Sequence, residues 1–238
     1  MRSHVDEVAV RMLFDRAMNA ARCRALAIPT LEAVAVILLA GGVLAGGRVT
    51  IDFDTMPSGK PPTGFTTAVT ASNAPVVWLV ENDPSAPHGG KVLAQESTDA
   101  TFYRFPLCIY QGLVTKDVDV SVKLKPISGK VDQAGGIVVR LLDPDNYYVV
   151  RADAIEHNVR LYRVVRGKRT LLAGAELRIA ANEWHTLRVA VRGHHFRVWG
   201  DGRAMFETDD ATFQEAGKVG LWTKADSVIH FGELVIES

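Results

Sequence analysis

The sequence has little cysteine and no net charge. Only two of its 238 residues are cysteine, and 27 lysine and arginine side chains balance 27 aspartate and glutamate side chains. Cys23 lies near the N-terminus, so Cys108 is left alone in the main part of the chain and has no disulfide partner there. A nucleic-acid binder needs a concentrated basic surface to displace phosphate counterions. We therefore expect no nucleic-acid partner, and we expect Cys108 to be a buried thiol rather than a nucleophile.

The sequence also lacks an apolar run long enough to span a bilayer as a helix, which takes roughly twenty residues. A shorter run, Ala33 to Gly47, follows the arginines Arg11, Arg16, Arg22 and Arg24. A basic flank, a short apolar centre and small residues are typical of a secretory signal. Residues 1–47 are therefore predicted to be a signal peptide, or a signal anchor if uncleaved, with Met12 and Met18 as alternative starts. We expect a secreted or periplasmic protein that meets a membrane only through this segment.

Short motifs of nucleophilic, nucleotide-dependent or metal-dependent chemistry are missing as well. There is no Gly-x-Ser-x-Gly elbow, phosphate-binding loop, dinucleotide fingerprint or Cys-x-x-Cys pair. No histidine spacing suits a helical zinc motif. The sequence therefore predicts no cofactor, with the exception of a structural metal ion considered below.

What the sequence has in quantity is short strand-like runs. Asp117 to Lys125 alternates strictly between apolar and polar residues, as in a strand with one buried face. Gly135 to Arg166 contains three strand-like runs separated by two turn-like breaks. Many such runs, punctuated by Gly, Pro, Asn and Asp, predict an all-β domain over residues 48–238. Two packed antiparallel sheets are the expected arrangement.

Motifs along this region resemble those of a known superfamily. They are Gly135 to Arg140, Asp145 to Tyr148, Leu161-Tyr162, Glu183 to Leu187, Asp201-Gly202, Gly217 to Trp222 and Val228 to Val235. Together they resemble the concanavalin A-like lectin and glucanase superfamily, and are most similar to bacterial laminin G-like and 3-keto-disaccharide hydrolase domains. The resemblance implies a concanavalin A-like jelly-roll sandwich, sugar-related work on a concave sheet, and often a structural calcium ion.

The acids that glucanases of this superfamily carry on one strand, in the pattern Glu-x-Asp-x-Glu, are incomplete here. Both Glu81-Asn82-Asp83 and Glu207-Thr208-Asp209 lack the closing glutamate. The leading hypothesis is thus an exported carbohydrate-binding or surface-interaction module without that triad. The alternative is a glycoside hydrolase or lyase acting on keto-disaccharides or other glycosides through His230, Arg140 and a metal. A purely structural envelope domain is the third hypothesis.

Ligand-binding candidates follow from strand alternation. A saccharide has apolar CH faces and a rim of hydroxyls, so aromatic rings and planar polar groups suit it. The candidates on polar strand faces are Trp222, Arg140, Arg151, Tyr147, Lys224, His230 and Trp78. Alternation gives the face of each residue but not which face is concave. Trp184 is assigned to the core.

A calcium site is predicted from acids near the two ends of the domain. Relatives in the superfamily often carry an aromatic residue and paired acids near the C-terminus, and here Phe231-Gly232-Glu233 keeps one acid. If the first and last strands pair, Asp52 and Asp54 would join Glu233 as oxygen ligands. The alternative is that these are solvent-facing acids at a sheet edge.

Overall fold

Antiparallel strands form the regular structure of the computed structural model, which describes residues 47–71 and 75–238. No helix occurs among these residues, and hence none that could cross a membrane. The signal predicted over residues 1–47 lies almost wholly outside this range. In chain order the strands are β1 (Arg48–Ile51), β2 (Phe65–Val69), β3 (Trp78–Asn82), β4 (Lys91–Gln95), β5 (Pro106–Tyr110), β6 (Val118–Ser128), β7 (Ala134–Asp143), β8 (Asn146–Asp153), β9 (Asn158–Val165), β10 (Lys168–Glu176), β11 (His185–Arg192), β12 (His195–Gly200), β13 (Arg203–Asp209), β14 (Lys218–Thr223) and β15 (Val228–Glu237).

The described strands assemble into two sheets. The first sheet has the order β13-β12-β11-β6-β15-β4-β3, and β1 also pairs with β15. The second sheet has the order β10-β9-β8-β7-β14-β5-β2. Every pairing is antiparallel, and the sequential β7-β8-β9-β10 meander makes up half of the second sheet. The predicted all-β sandwich of two antiparallel sheets is confirmed.

Alternation along the strands explains the core between the sheets. On β6, Val118, Val120, Val122 and Leu124 are all buried in this core, and the polar residues that alternate with them point outward. The facing residues of the second sheet come from alternate positions such as Ile137, Val139 and Val150. Cys108 belongs to the same core, as predicted, and burial raises the pKa of its thiol far above the ordinary value. Such a thiol has no nucleophilic role.

The second sheet carries buried apolar residues on both faces. Its outer face carries a separate buried cluster that includes Val138, Val149, Tyr162 and Trp222. The outer face of an antiparallel sheet usually meets water and carries polar residues. The outer face of β6 follows this rule, with Asp119, Ser121 and Lys123. The outer face of the second sheet is therefore the unusual surface of this fold.

Candidate functional site

Four of the seven predicted ligand-binding residues share the outer face of the second sheet. Tyr147 and Arg151 lie on β8, four residues apart and therefore on the same side, as alternation predicts. Trp222 lies on β14, and Lys224 follows directly after that strand on the same side. All four are buried; Trp222 and Tyr147 have no exposed surface. They form the floor of the candidate site and not its accessible rim.

A row of aromatic rings leads from this floor to solvent. Trp222 stacks on Phe105 at 5.5 Å between ring centroids. Phe105 meets the edge of Tyr103 at 6.1 Å, and Tyr103 meets Phe102 at 5.3 Å. Exposure rises along this row, which we call the aromatic ladder, from 0% at Trp222 to 69% at Tyr103 and 52% at Phe102. Two rings at its outer end are therefore free to stack on a ligand.

A row of charged side chains lies beside the aromatic ladder. The ammonium of Lys224 donates to the carboxylate of Asp132 and lies 4.2 Å from the ring centroid of Phe102. Next along the row, Arg151 lies 3.0 Å from Asp153 Oδ2 and donates to Glu156 Oε2 at 2.7 Å. Glu156 is 40% exposed, so the row, like the aromatic ladder, ends at the surface.

Asp132 and Asp153 are two buried carboxyls at the centre of this charged row. Burial is the main cause that raises the pKa of Asp132, to about 6, and the neighbouring carboxyl of Asp153 adds to it. The hydrogen bond from Lys224 acts in the opposite direction. Oδ1 of Asp132 is buried and accepts no hydrogen bond from the described residues. Oδ2 of Asp153 is compensated by the Arg151 guanidinium at 3.0 Å.

The segment that carries Asp132 is held in place by Asp226. The Asp226 carboxylate accepts hydrogen bonds from the backbone N–H groups of Lys130, Val131 and Asp132 at 2.7 to 3.1 Å. Burial alone would raise the pKa of Asp226, but these three donors lower it below its usual value. The position of Asp132 is thus set by hydrogen bonds from its own main-chain segment to the Asp226 carboxylate, which lies in the loop between β14 and β15.

Arg169 of β10 completes the cluster. Its guanidinium carbon lies 4.3 Å from the ring centroid of Tyr162, 5.1 Å from that of Phe105 and 6.0 Å from that of Trp222. Its side chain is half-buried, and burial is the main cause that lowers its pKa. Its Nη1 is buried and makes no hydrogen bond within the described residues. Arg169 therefore links the aromatic ladder to Tyr162 on the neighbouring strand.

Arg140 lies away from this site, which corrects the sequence-based assignment. Strict alternation would place it with Val138 on the outer face, but a bulge between Val139 and Asp143 breaks the register. Arg140 has a φ of 48°, in the left-handed region, and its buried guanidinium donates to backbone carbonyls. The acceptors are Lys116 O at 2.9 Å, Phe213 O at 2.8 Å and Gly193 O. Arg140 joins three loops, and its side chain is too deeply buried to reach a ligand at the surface.

Trp78 is also not at a surface. Its ring is 2% exposed and packs in the core between the sheets, 5.7 Å from the ring of Phe231. The alternation of β3 explains this position, because Trp78 and Val80 point inward while Leu79 and Glu81 point outward. The polar loop that follows β3 suggested a surface position for Trp78. The alternation of side chains along β3 instead directs Trp78 into the core.

His230 lies on the outer face of the first sheet, in a different cluster. Its Nδ1 is 2.8 Å from Asp83 Oδ2, and Lys125 Nζ is 2.5 Å from the same oxygen. Burial acts to raise the pKa of Asp83, but the hydrogen bonds of Lys125, His230 and Ser85 outweigh it and hold that pKa well below its usual range. Trp184, predicted to be in the core, is half-buried here instead and donates to Ser85 Oγ at 3.2 Å.

The predicted calcium ligands do not converge. The first and last strands pair as expected, but Asp52 and Asp54 accept backbone N–H groups, from Asp54 and from Lys91. Glu233 instead lies 3.5 Å from His88. The described residues hold two other groups with three converging ligand atoms: Glu81, Glu96 and His230, and Asp132, Asp153 and Glu156.

Neither of these groups is a good match for calcium. Imidazole is not a ligand that calcium prefers, and the first group contains His230. In the second group, Lys224 and Arg151 already neutralise the carboxylates. Calcium in this chain therefore stays a prediction from the resemblance, without a fitting set of ligands among residues 47–71 and 75–238.

A cavity of about 840 Å³ opens elsewhere on the second sheet, beside the turn between β7 and β8. Its polar groups include Asp143, Asp145 and Arg166. These acids already stabilise the turn, because Asp143 accepts from the backbone N–H of Asp145, and Asp145 accepts from that of Ala71. The aromatic ladder and its charged row have unpaired buried atoms and are the better candidate for a ligand site.

Sequence reasoning missed the accessible part of this site. The aromatic character of Phe102 and Tyr103 favours a strand, but β5 begins only at Pro106, so both rings lie in a loop. Arg169 follows from alternation, since it is paired with Val164 and shares the face of Tyr162. Asp132 gave no sequence signal, because it lies in a loop whose path depends on Asp226.

Comparisons with known proteins agree with the fold. No family model and no curated protein matches the chain. Among solved structures, the carbohydrate binding module CBM66 from Bacillus subtilis is 21% identical with a TM-score of 0.59, and the match covers 74% of this chain and 96% of that one. Domain 4 of AbnA, an extracellular arabinanase from Geobacillus stearothermophilus in complex with arabinotriose, is 13% identical with a TM-score of 0.55, covering 82% and 93%.

A third similar structure is the exoplasmic/lumenal domain of VIP36 in its Ca²⁺/Man3GlcNAc-bound form. It is 10% identical with a TM-score of 0.51, and the match covers 73% of this chain and 83% of that one. These likenesses confirm the jelly-roll sandwich fold that the sequence motifs predict. At such identities they establish the fold and not the ligand.

Proposed function

We propose that this protein is a carbohydrate-binding module whose site is the outer face of the second sheet. The observation that carries the proposal is the aromatic ladder, which ends in the exposed rings of Tyr103 and Phe102 beside a charged row. Aromatic faces stack on the CH faces of sugars, and charged groups at the rim of the site hydrogen-bond to hydroxyls. This combination fits a saccharide better than an apolar ligand.

Two kinds of support accompany the geometry. The similar structures include a carbohydrate binding module and two proteins solved with bound oligosaccharides. Export through residues 1–47, which is part of the proposal, would place the module where extracellular or periplasmic saccharides are found. Detection of the protein in culture medium or periplasm, with or without residues 1–47, tests that part separately.

Replacing Tyr103 with alanine should lower saccharide affinity about three- to tenfold, because one stacking ring contributes about 0.5–1.5 kcal/mol. The full chain is titrated by calorimetry with a panel of oligosaccharides that includes arabinotriose and mannotriose. The free energy of unfolding should change by less than about 0.5 kcal/mol, since Tyr103 is exposed.

The matched control for this experiment is Trp199→Ala. Trp199 is a half-buried aromatic residue on the outer face of the first sheet, with the guanidinium carbons of Arg188 and Arg197 at 4.5 and 5.3 Å from its ring. The Trp199→Ala variant should leave the saccharide affinity unchanged. If Trp199→Ala abolishes binding while Tyr103→Ala does not, the site is on the first sheet and the proposed location is wrong.

A second candidate function is glycoside hydrolysis, which the Asp132–Asp153 pair favours. The pKa of Asp132 is raised, as a general acid requires, and Asp153 supplies a second carboxyl beside it. Retaining hydrolysis places its two carboxyl groups about 5 Å apart, whereas these two are close enough to hydrogen-bond to each other. Release of reducing ends from disaccharides, lost in Asp132→Asn, would establish it. Binding is ranked first because both carboxyls are buried and paired with cations.

A further inference from the structure

Arg169 is the cation of the outer-face cluster that lacks an acidic partner among the described residues. The other cations each face a carboxylate: Arg104 faces Asp99 at 3.2 Å, Lys224 faces Asp132, Arg151 faces Asp153 and Glu156, and Arg160 faces Glu156 at 3.2 Å. Within residues 47–71 and 75–238 the Arg169 side chain makes neither an ion pair nor a hydrogen bond, and its Nη1 is buried. Arg169 is therefore the one of these five cations that makes no direct ion pair among the described residues.

The surroundings of Arg169 orient this charge. Rings of Tyr162, Phe105 and Trp222 lie 4.3 to 6.0 Å from its guanidinium carbon. Cation–π contacts of this kind stabilise the cation through its flat face. They offer no hydrogen-bond acceptor, so the N–H groups along the edge of the guanidinium stay unpaired. The half-buried side chain still has accessible surface.

An unpaired, partly desolvated guanidinium favours ligands that carry a negatively charged group. A hydroxyl would satisfy one N–H but would leave the charge uncompensated. A carboxylate or a sulfate supplies both negative charge and oxygens spaced for two parallel N–H···O bonds, which a guanidinium fork binds in a fixed plane. The gain is larger than in open water because the site is partly buried.

Arg169 is also placed to act on the same ligand as the exposed rings. Phe105 contacts both Arg169 and Tyr103, so a single ring separates the unpaired charge from the stacking platform. We propose that the module, if it binds saccharides as argued above, selects those that carry an anionic group, a uronate carboxylate or a sulfate ester, and that Arg169 is the residue that binds this group.

The test compares sugars that differ in one group. Wild-type full chain is titrated with two matched pairs: oligogalacturonate and its neutral methyl ester, and a neutral oligogalactan and the same oligomer sulfated at C6. We expect the anionic forms to bind at least about tenfold more tightly, equivalent to about 1.4 kcal/mol. Arg169→Gln should remove this preference, because the affinity for the anionic oligomers should fall to that of the same variant for the neutral oligomer. The preference should also weaken with added salt.

Two further variants keep the test interpretable. Arg169→Lys retains the charge but not the fork, and it should keep only part of the preference. Arg197→Gln removes an exposed arginine that pairs with Glu207 on the first sheet, and it should change nothing. Unfolding midpoints are measured for every variant, so a variant that fails to fold is recognised. If Arg169→Gln does not fold, the anion preference of Arg169→Lys decides whether Arg169 binds the anionic group.

The outcomes separate this inference from the function on which it rests. Equal binding of neutral and anionic oligomers would overturn the anion selectivity while leaving saccharide binding intact. A preference that survives in both Arg169 variants would overturn the role of Arg169. No binding of any saccharide in the panel would overturn the proposed function itself. A preference for sulfate over carboxylate, or the reverse, supports the inference and identifies the anionic group.

Discussion

Replacing Trp222 with alanine should destabilise the protein by about 3–5 kcal/mol, the range for a large aromatic residue removed from a packed interior. Its ring has no exposed surface, stacks on Phe105 and supports Arg169. Removing it leaves a cavity beneath the aromatic ladder that the neighbouring strands cannot close. Urea unfolding followed by circular dichroism measures the change in the free energy of unfolding.

Tyr103→Ala is the matched control, because it also removes one ring of the aromatic ladder but at the exposed end. It should cost less than about 0.5 kcal/mol, so the two variants differ by several kcal/mol although both remove one ring of the ladder. An unfolding free energy for Trp222→Ala within 1 kcal/mol of the wild type would show that the ring is not a structural support. A loss of saccharide binding in Trp222→Ala is informative only if that variant is folded.

Replacing Lys224 with methionine should cost about 3–5 kcal/mol at pH 7, because removal of one partner of a buried ion pair leaves the other charge unpaired. Side chains of Lys224 and Asp132 are 5% and 4% exposed, and Asp153 adds a second buried carboxyl next to Asp132. Methionine keeps the aliphatic stem, so the loss reports the charge and not the packing. Unfolding in urea at pH 7 gives the value.

The double variant Lys224→Met with Asp132→Asn is the partner experiment. It removes both charges and should regain much of the lost stability, so the two substitutions should be strongly non-additive. Lys123→Met serves as the matched control. Lys123 donates to Thr186 Oγ1 at 2.7 Å on the first sheet and is half-buried, so its loss should cost about 1 kcal/mol or less. Additive effects would show that Lys224 and Asp132 do not form a coupled pair.

The cost of Lys224→Met should also depend on pH. Burial and Asp153 raise the pKa of Asp132 to about 6 even with Lys224 present. An acid whose pKa is raised in the folded state stabilises that state when it is protonated, and this stabilisation is lost as the pH rises through the folded value. The penalty for Lys224→Met should therefore be largest at pH 7 to 8 and should shrink as the pH falls towards 5. A penalty that is constant over this range would contradict the assignment.

Much of the fold follows from local patterns. Strict alternation in β6 predicted its buried valines, and the turn at Asp143 to Asn146 predicted the β7-β8 hairpin. The motifs from Gly135 to Val235 predicted a jelly-roll sandwich, and the structure confirms that fold. Alternation also placed Tyr147, Arg151, Trp222 and Lys224 on one face, because side chains two residues apart on a strand point the same way.

The candidate site was predicted only in part, and the reason differs by residue. The side chain of Arg140 does not lie on the face that alternation predicts, because a bulge with a positive φ redirects it. No residue pattern near Arg140 indicated this bulge. Phe102 and Tyr103 were not recognised as part of the site, because their aromatic character favours a strand whereas the chain there forms a loop. Asp132 and Asp153 meet only when the segment between β6 and β7 packs against β8, and Asp226, distant in sequence, fixes that segment.

The sequence alone determined the strand alternation, the turns and the identity of the polar face of each strand, because these depend on neighbours two to four residues apart. Only the tertiary structure decided which faces are buried and which charges find partners. Both properties depend on residues far apart in the chain, such as Lys224 with Asp132 and Phe105 with Trp222. The same is true of Arg169, whose charge is unpaired among the described residues because the acids nearest to it are already bound to other cations.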